Sequence, residues 1–340
     1  MKVNLELIMA PLMKVTGKIT KKSKNLSLLI RIVISLGLVL FLLLRIDLVT
    51  LGKTILSADL VLFIFAILLS FFKQFLEILR LYYLLRAKNI RIPLWPVIKI
   101  MVTGTFIGTF TPTSLGVEIV RAYGFTKHTS DSVNAVSAVA INRFVGFISL
   151  MFLASLSVFY KREYAEQIGI IWIILIFAVP FILIILGFSG RVRFLFEKKL
   201  FAKIKFFPEA LQWLSSVGKS FYAYRRYKKT LLLTFFLSIA FQVVRVIICY
   251  ILAVAIDVNV PFVYFFIITP LVMLFTMLPL SVGGIGVREG STVYFLGKVG
   301  INPTMALSVS LMCFIVAVFG SLPGLLFYLR HGLDGGNKNT

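Results

Sequence analysis

The chain has 340 residues, of which 59% are hydrophobic and only 14% charged, a composition too apolar for soluble domains and suited to a bilayer. Its 36 Lys and Arg against 13 Asp and Glu give a net charge of +23, and on so apolar a chain that excess points to the anionic inner face of a membrane rather than to nucleic acid. Two histidines, His128 and His331, and two cysteines, Cys249 and Cys313, are too few for a zinc site of ordinary ligand spacing or a disulfide framework, so neither metal nor cofactor is expected.

Residues 1–25 form a basic arm with six Lys against Glu6. The apolar run at 26–44 is long enough to span. It follows that arm and lacks a small-residue cleavage pattern, so it is expected to remain as an anchor. Further apolar runs lie at 60–85, 133–159, 169–188, 231–256 and 304–328. The stretches 97–127 and 262–299 are apolar but broken near the middle by Pro and Gly, which reads as two half-helices rather than one span. The expectation is an all-α polytopic membrane protein with about six full transmembrane helices and two re-entrant hairpins.

Charge orients the set. The arm, residues 86–96 (Arg86, Lys88, Arg91) and the linker 188–230, with eleven Lys or Arg against Glu197 and Glu209, are basic. Segments 45–59 and 160–168 are each neutral. The positive-inside rule places the basic segments in the cytoplasm and, with both hairpins returning to their side of entry, both termini there too, in the cell membrane. Within the linker, Leu211, Leu214, Val217, Phe221 and Tyr224 recur at helical spacing before a basic run ending at Lys229, as in an amphipathic helix lying on the inner leaflet. Residues 331–340 are a short polar tail.

The chain also matches itself. Ser70, Gln74, Tyr82 and Pro93 fall on Ser238, Gln242, Tyr250 and Pro261 at an offset of 168. One residue shorter, Pro112, Ser114, Gly116, Val120 and Arg121 fall on Pro279, Ser281, Gly283, Val287 and Arg288. Repeat A is expected over about 60–159 and repeat B over about 231–328. The charge rule sends their first helices in opposite directions, so the repeats are inverted, and broken helices of inverted repeats are where transporters build substrate sites.

Each hairpin tip therefore carries a Pro, a Gly-bearing turn and an Arg about one turn into the next half-helix. Exposed amides at such a helix start, with a guanidinium nearby, suit a phosphate. In the second tip Gly283, Gly284 and Gly286 crowd into four positions, followed by Arg288 and Glu289; they either admit a headgroup or only allow close helix packing. In the first, Glu118 and Arg121 could pair on one helical face. Arg143 lies deep in its span, where an unpaired charge is costly and a functional role is the default, with Glu118 as the expected partner. Lys73 and Glu77 are spaced to neutralise each other. Arg245, at the repeat position of Glu77, has no local partner.

The Gly116-Val-Glu118 to Arg121 stretch and the Leu278 to Glu289 stretch resemble the transmembrane domain of the lysylphosphatidylglycerol synthetase/flippase family, over roughly residues 26–330. The chain departs from that pattern at Val117 and Glu118, where the family more often has Gly and Asp, and at Asn142, where it often has an acidic residue. The resemblance implies a domain moving phospholipid, in some members aminoacylated phospholipid, between leaflets; the family's lipid-making activity belongs to a soluble carboxyl-terminal domain for which the last twelve residues leave no room. The expected function is lipid translocation, with Arg121, Arg143 and Arg288 on the phosphate, Arg245 on the pathway, and Glu118 and Glu289 positioning arginines or meeting a cationic headgroup. The alternatives are a lipid-modifying transferase such as a phosphatidylglycerol lysyltransferase, and a scaffold for a separately encoded lipid-modifying enzyme. The expected partner is an anionic or aminoacylated phospholipid.

Overall fold

The computed structural model describes residues 48–109, 116–129, 131–160, 178, 219–220, 222–277, 281 and 283–331. The basic arm, the run at 26–44, the run at 169–188 apart from residue 178, the linker before residue 219, Pro112, Ser114, Pro279 and the tail beyond residue 331 lie outside them. Among the described residues the secondary structure is helical: α1 Leu48–Leu56, α2 Leu60–Ala87, α3 Leu94–Thr109, α4 Gly116–Lys127, α5 Ser132–Tyr160, α6 Lys228–Val254, α7 Phe262–Met277, α8 Val287–Gly297 and α9 Pro303–His331, with a 3-10 turn at Tyr224–Arg226. Helices α2, α5, α6 and α9 are long and apolar enough to cross a membrane.

The 28 residues of α2 make about 42 Å of helix, more than the ~30 Å of a hydrocarbon core. The 16 residues of α3 and α7, 12 of α4 and 11 of α8 fall short of it, at about 17–24 Å each. Both interrupted stretches thus form two short helices, broken where Pro and Gly stand. Residues 48–56, expected as a connection, form α1, with Leu51 in a small apolar cluster with Leu307 of α9; nine residues are too few for a span-length hydropathy signal.

Polarity runs inside out. Along α2, Val61, Ile64, Phe65, Leu68, Phe72 and Phe75 are exposed while Ser70, Gln74 and Arg80 are buried. On α6, Leu232, Leu233 and Phe236 are exposed while Ser238 and Gln242 are buried. An apolar exposed stripe with a polar buried face is what lipid surroundings demand, because acyl chains accept apolar groups and polar ones must find partners inside.

Helices α2 and α6 form the most extensive pair and run antiparallel, tied at both ends. The Asp59 amide donates to the Ala255 carbonyl at 2.8 Å, and the Asp59 carboxylate caps α2 by accepting from the Val61 and Leu62 amides. At the other end the Tyr224 hydroxyl donates to the Leu84 carbonyl at 2.9 Å, and the Lys88 ammonium lies 4.9 Å from the Tyr224 ring centre. Tyr224, expected on a lipid-facing stripe, is instead buried, with its hydroxyl satisfied inside the protein. Trp95, at the start of α3, meets Phe327, near the end of α9, at this same end.

Four further contacts come in exchanged pairs: α3 packs on α9 and α7 on α5, while α6 packs on α5 and α2 on α9. The α3–α9 contact is backbone-close, since a Cβ at Gly324 would lie 2.3 Å from the Val102 carbonyl oxygen.

Candidate functional site

The two broken stretches and the long helices enclose a cavity of about 400 Å³. Its charged wall comes from five helices: Glu77 and Arg80 on α2, Glu118 on α4, Arg143 on α5, Arg245 on α6 and Arg288 on α8. Gly283 of the second tip also lines it.

Each carboxylate is held by a guanidinium. Arg121 grips Glu77 with two parallel hydrogen bonds, Nη1 to Oε1 at 2.7 Å and Nη2 to Oε2 at 2.9 Å, and its Nη2 also donates to the Thr105 hydroxyl. That fork geometry is the strongest form of the pair, and Arg121 is only 3% exposed. Arg121 therefore stands behind the wall rather than on it, and the expected Glu118–Arg121 pair is replaced by Glu77–Arg121. The expected Lys73–Glu77 pair does not form either; the Lys73 ammonium lies 5.9 Å from the Phe241 ring centre. Both expectations used spacing along one helix, whereas Glu77 and Arg121 lie 44 residues apart.

Glu118 does meet Arg143, at 2.6 Å. Asn142, where an acid was noted as absent, accepts from Arg80 Nε at 2.6 Å, and Ser238 accepts from Arg80 Nη1 at 2.7 Å; the third side of Arg80 faces Glu77 at 3.8 Å. A Cβ at Gly146 would lie 3.1 Å from the Arg80 guanidinium, so the small residue makes room for it.

The second tip is differently built. Gly283, Gly284 and Gly286 have φ of 60°, 80° and 84°, the left-handed region that L side chains disfavour. A Cβ at Gly284 would make only ordinary contact with Thr276, at 3.4 Å. Backbone conformation, more than packing, requires glycine there. The Glu289 Oε2 accepts from the Gly286 amide at 2.7 Å, while its Oε1 accepts from Arg288 Nε at 3.0 Å and from Nη2. The amides expected to receive an anion are thus partly used: Gly286 by Glu289, and Arg288 by the Gly284 carbonyl.

Arg245 differs from the other arginines. No carboxylate of the described residues lies within 4 Å of it, and its contact is with the face of Phe241, 4.8 Å from guanidinium carbon to ring centre. The same ring lies 5.7 Å from Arg80. A ring face is a weak substitute for a counter-charge.

Of the residues singled out in the sequence, Glu118, Arg143, Arg245, Arg288 and Gly283 line the cavity; Arg121, Gly116, Ser281, Gly284, Gly286 and Glu289 stand off the wall. Arg80, Asn142, Phe241 and Gln242 also line it and were not anticipated as site residues, although a polar side chain at mid-span was a readable signal.

The family described as "Lysylphosphatidylglycerol synthase TM region" matches residues 28–324. The chain belongs to this family. Its match takes in both broken stretches and every helix that contributes to the cavity, so the site is built within the family's domain. The comparison with curated proteins finds no match. Membership and the apolar helices make the chain a multi-pass membrane protein.

Proposed function

We propose that the chain is a lipid translocase. A phosphate-bearing headgroup enters the arginine-lined cavity while its hydrocarbon chains stay between helices in the bilayer. The observation carrying this reading is the convergence of Arg80, Arg143, Arg245 and Arg288, from separate helices, on one cavity. Such a cluster is expensive within a membrane unless an anion visits it. The exchanged helix contacts and the antiparallel α2–α6 pair support an inverted repeat, with α2 to α5 and α6 to α9 as its halves and two hairpins entering from opposite faces. In that arrangement alternating exposure of one site is a rocking of halves. The end carrying Arg86, Lys88, Arg225 and Arg226 is the cytoplasmic one by charge, in the cell membrane, with both termini on that side.

The family's description carries the word synthase, and a transferase is the rival reading. A base would have to come from Glu77, Glu118 or Glu289, and each is bound by a guanidinium, which favours transport. Purified protein in liposomes should move a headgroup-labelled phospholipid between leaflets. Arg288→Ala and Arg143→Ala should slow this at least tenfold, the worth of one charge-assisted hydrogen bond of roughly 1.5–3 kcal/mol. Undiminished movement in both variants would contradict the reading, and a new lipid species made by the chain alone would favour the transferase.

A further inference from the structure

We propose that the headgroup carried through this cavity is a phosphomonoester bearing close to two negative charges, and that a cationic, aminoacylated headgroup is excluded. The inference rests on the translocase reading and names its substrate class.

The charge balance of the wall leads to it. Four guanidiniums, of Arg80, Arg143, Arg245 and Arg288, face two carboxylates, of Glu77 and Glu118, leaving two positive charges. Of the charges immediately behind, Arg121 and Glu289 cancel, and Lys73, 5.9 Å from the Phe241 ring centre, adds one more positive charge. A phosphodiester headgroup supplies one negative charge; a phosphomonoester supplies about 1.5–2 near neutral pH, with three oxygens to accept from separate guanidiniums. A lysyl ester would instead bring two ammonium groups. Those would have to share carboxylates that guanidiniums already neutralise. Glu77 has both oxygens on Arg121, and Glu289 has its two on Arg288 and the Gly286 amide. Glu118 gives one to Arg143, and its other oxygen is buried.

Arg245 sets the preference. It brings one full positive charge to the wall with an aromatic face as its contact, so it adds attraction for an anion without first breaking an ion pair. Arg288 is restrained by Glu289 and by the face of Phe314, 4.4 Å from its guanidinium carbon. A dianionic phosphate therefore gains most from Arg245, and a cation loses most.

The test measures binding separately from transport. Full-length protein in detergent is titrated with short-chain phosphatidic acid, phosphatidylglycerol, lysylphosphatidylglycerol and inorganic phosphate, following the unfolding midpoint, which rises with bound ligand. Phosphatidic acid should act at a concentration roughly tenfold lower than phosphatidylglycerol, and lysylphosphatidylglycerol should give no shift. Arg245→Gln should remove the gap between phosphatidic acid and phosphatidylglycerol, and Arg288→Gln should weaken both. Lysylphosphatidylglycerol binding as well as phosphatidic acid would overturn the proposal, as would inorganic phosphate matching phosphatidic acid, which would make the ligand an ion rather than a lipid. If the preference holds while none of the lipids crosses the bilayer in liposomes, the translocase reading fails and the headgroup class stands; if lipids cross but the aminoacylated one is preferred, the headgroup class fails alone.

Discussion

The two hairpins share the spacing Pro-x-Ser-x-Gly-x-x-x-Val-Arg and use the final arginine in opposite ways. In the first, Arg121 is buried and forked onto Glu77 of α2. In the second, Arg288 faces the cavity and is held by the adjacent Glu289. The sequence match explains the divergence: the position of Glu77 is taken in α6 by Arg245, which cannot neutralise Arg288, and Glu289 stands where the first hairpin has Ala122. One charge reversal between matching helices thus turns a locking arginine into a cavity arginine and leaves Arg245 without a carboxylate among the described residues. Matching motifs fix where a side chain emerges, and the facing helix decides what it does.

The comparison can be broken most directly at Glu77. Glu77→Gln should destabilise the protein by about 3–5 kcal/mol, because Arg121 is left buried without its counter-charge; an unfolding midpoint in detergent within error of wild type would show that the first hairpin is not locked. Glu289→Gln should cost less, roughly 1–3 kcal/mol, since Arg288 is 18% exposed and keeps its aromatic contact. A loss as large as that of Glu77→Gln would erase the distinction between the hairpins.

Gly286→Ala should cost about 1–2 kcal/mol from its left-handed φ of 84°. Gly290→Ala, four residues on in α8 with nothing within 4 Å of the added carbon, should be neutral or slightly stabilising; equal effects would mean that the tip conformation is not what the glycine serves. Tyr224→Phe should cost about 1 kcal/mol by removing the hydroxyl bond to Leu84. An unchanged midpoint would show that this tie between α2 and the start of α6 contributes nothing.

Hydropathy located α2, α5, α6 and α9 in the sequence within a few residues, because a lipid-facing stripe needs a long apolar run whatever its partners. The breaks near Gly116 and Gly283 were legible for a similar reason, since Pro and Gly act locally on the backbone. The Glu118–Arg143 pair was anticipated by asking which acid could neutralise an arginine at mid-span. The Glu77–Arg121 fork was not, because spacing rules see three or four residues along one helix and this pair joins α2 to α4. Buried Tyr224 reads like any interfacial aromatic until its hydroxyl partner is known, and Arg80 shows its role only once Asn142 and Ser238 are brought beside it.

The central claim is that the excess positive charge in the cavity serves a lipid headgroup rather than the fold. Arg245→Gln tests it when stability and lipid movement are measured on the same purified preparation. The account predicts an unfolding midpoint equal to or above wild type, because the cation removed has no carboxylate of the described residues within 4 Å and rests only on the Phe241 ring, together with at least a roughly tenfold drop in headgroup-labelled lipid movement in liposomes. Wild-type lipid movement, or a loss of movement that only follows a loss of folding, would contradict it.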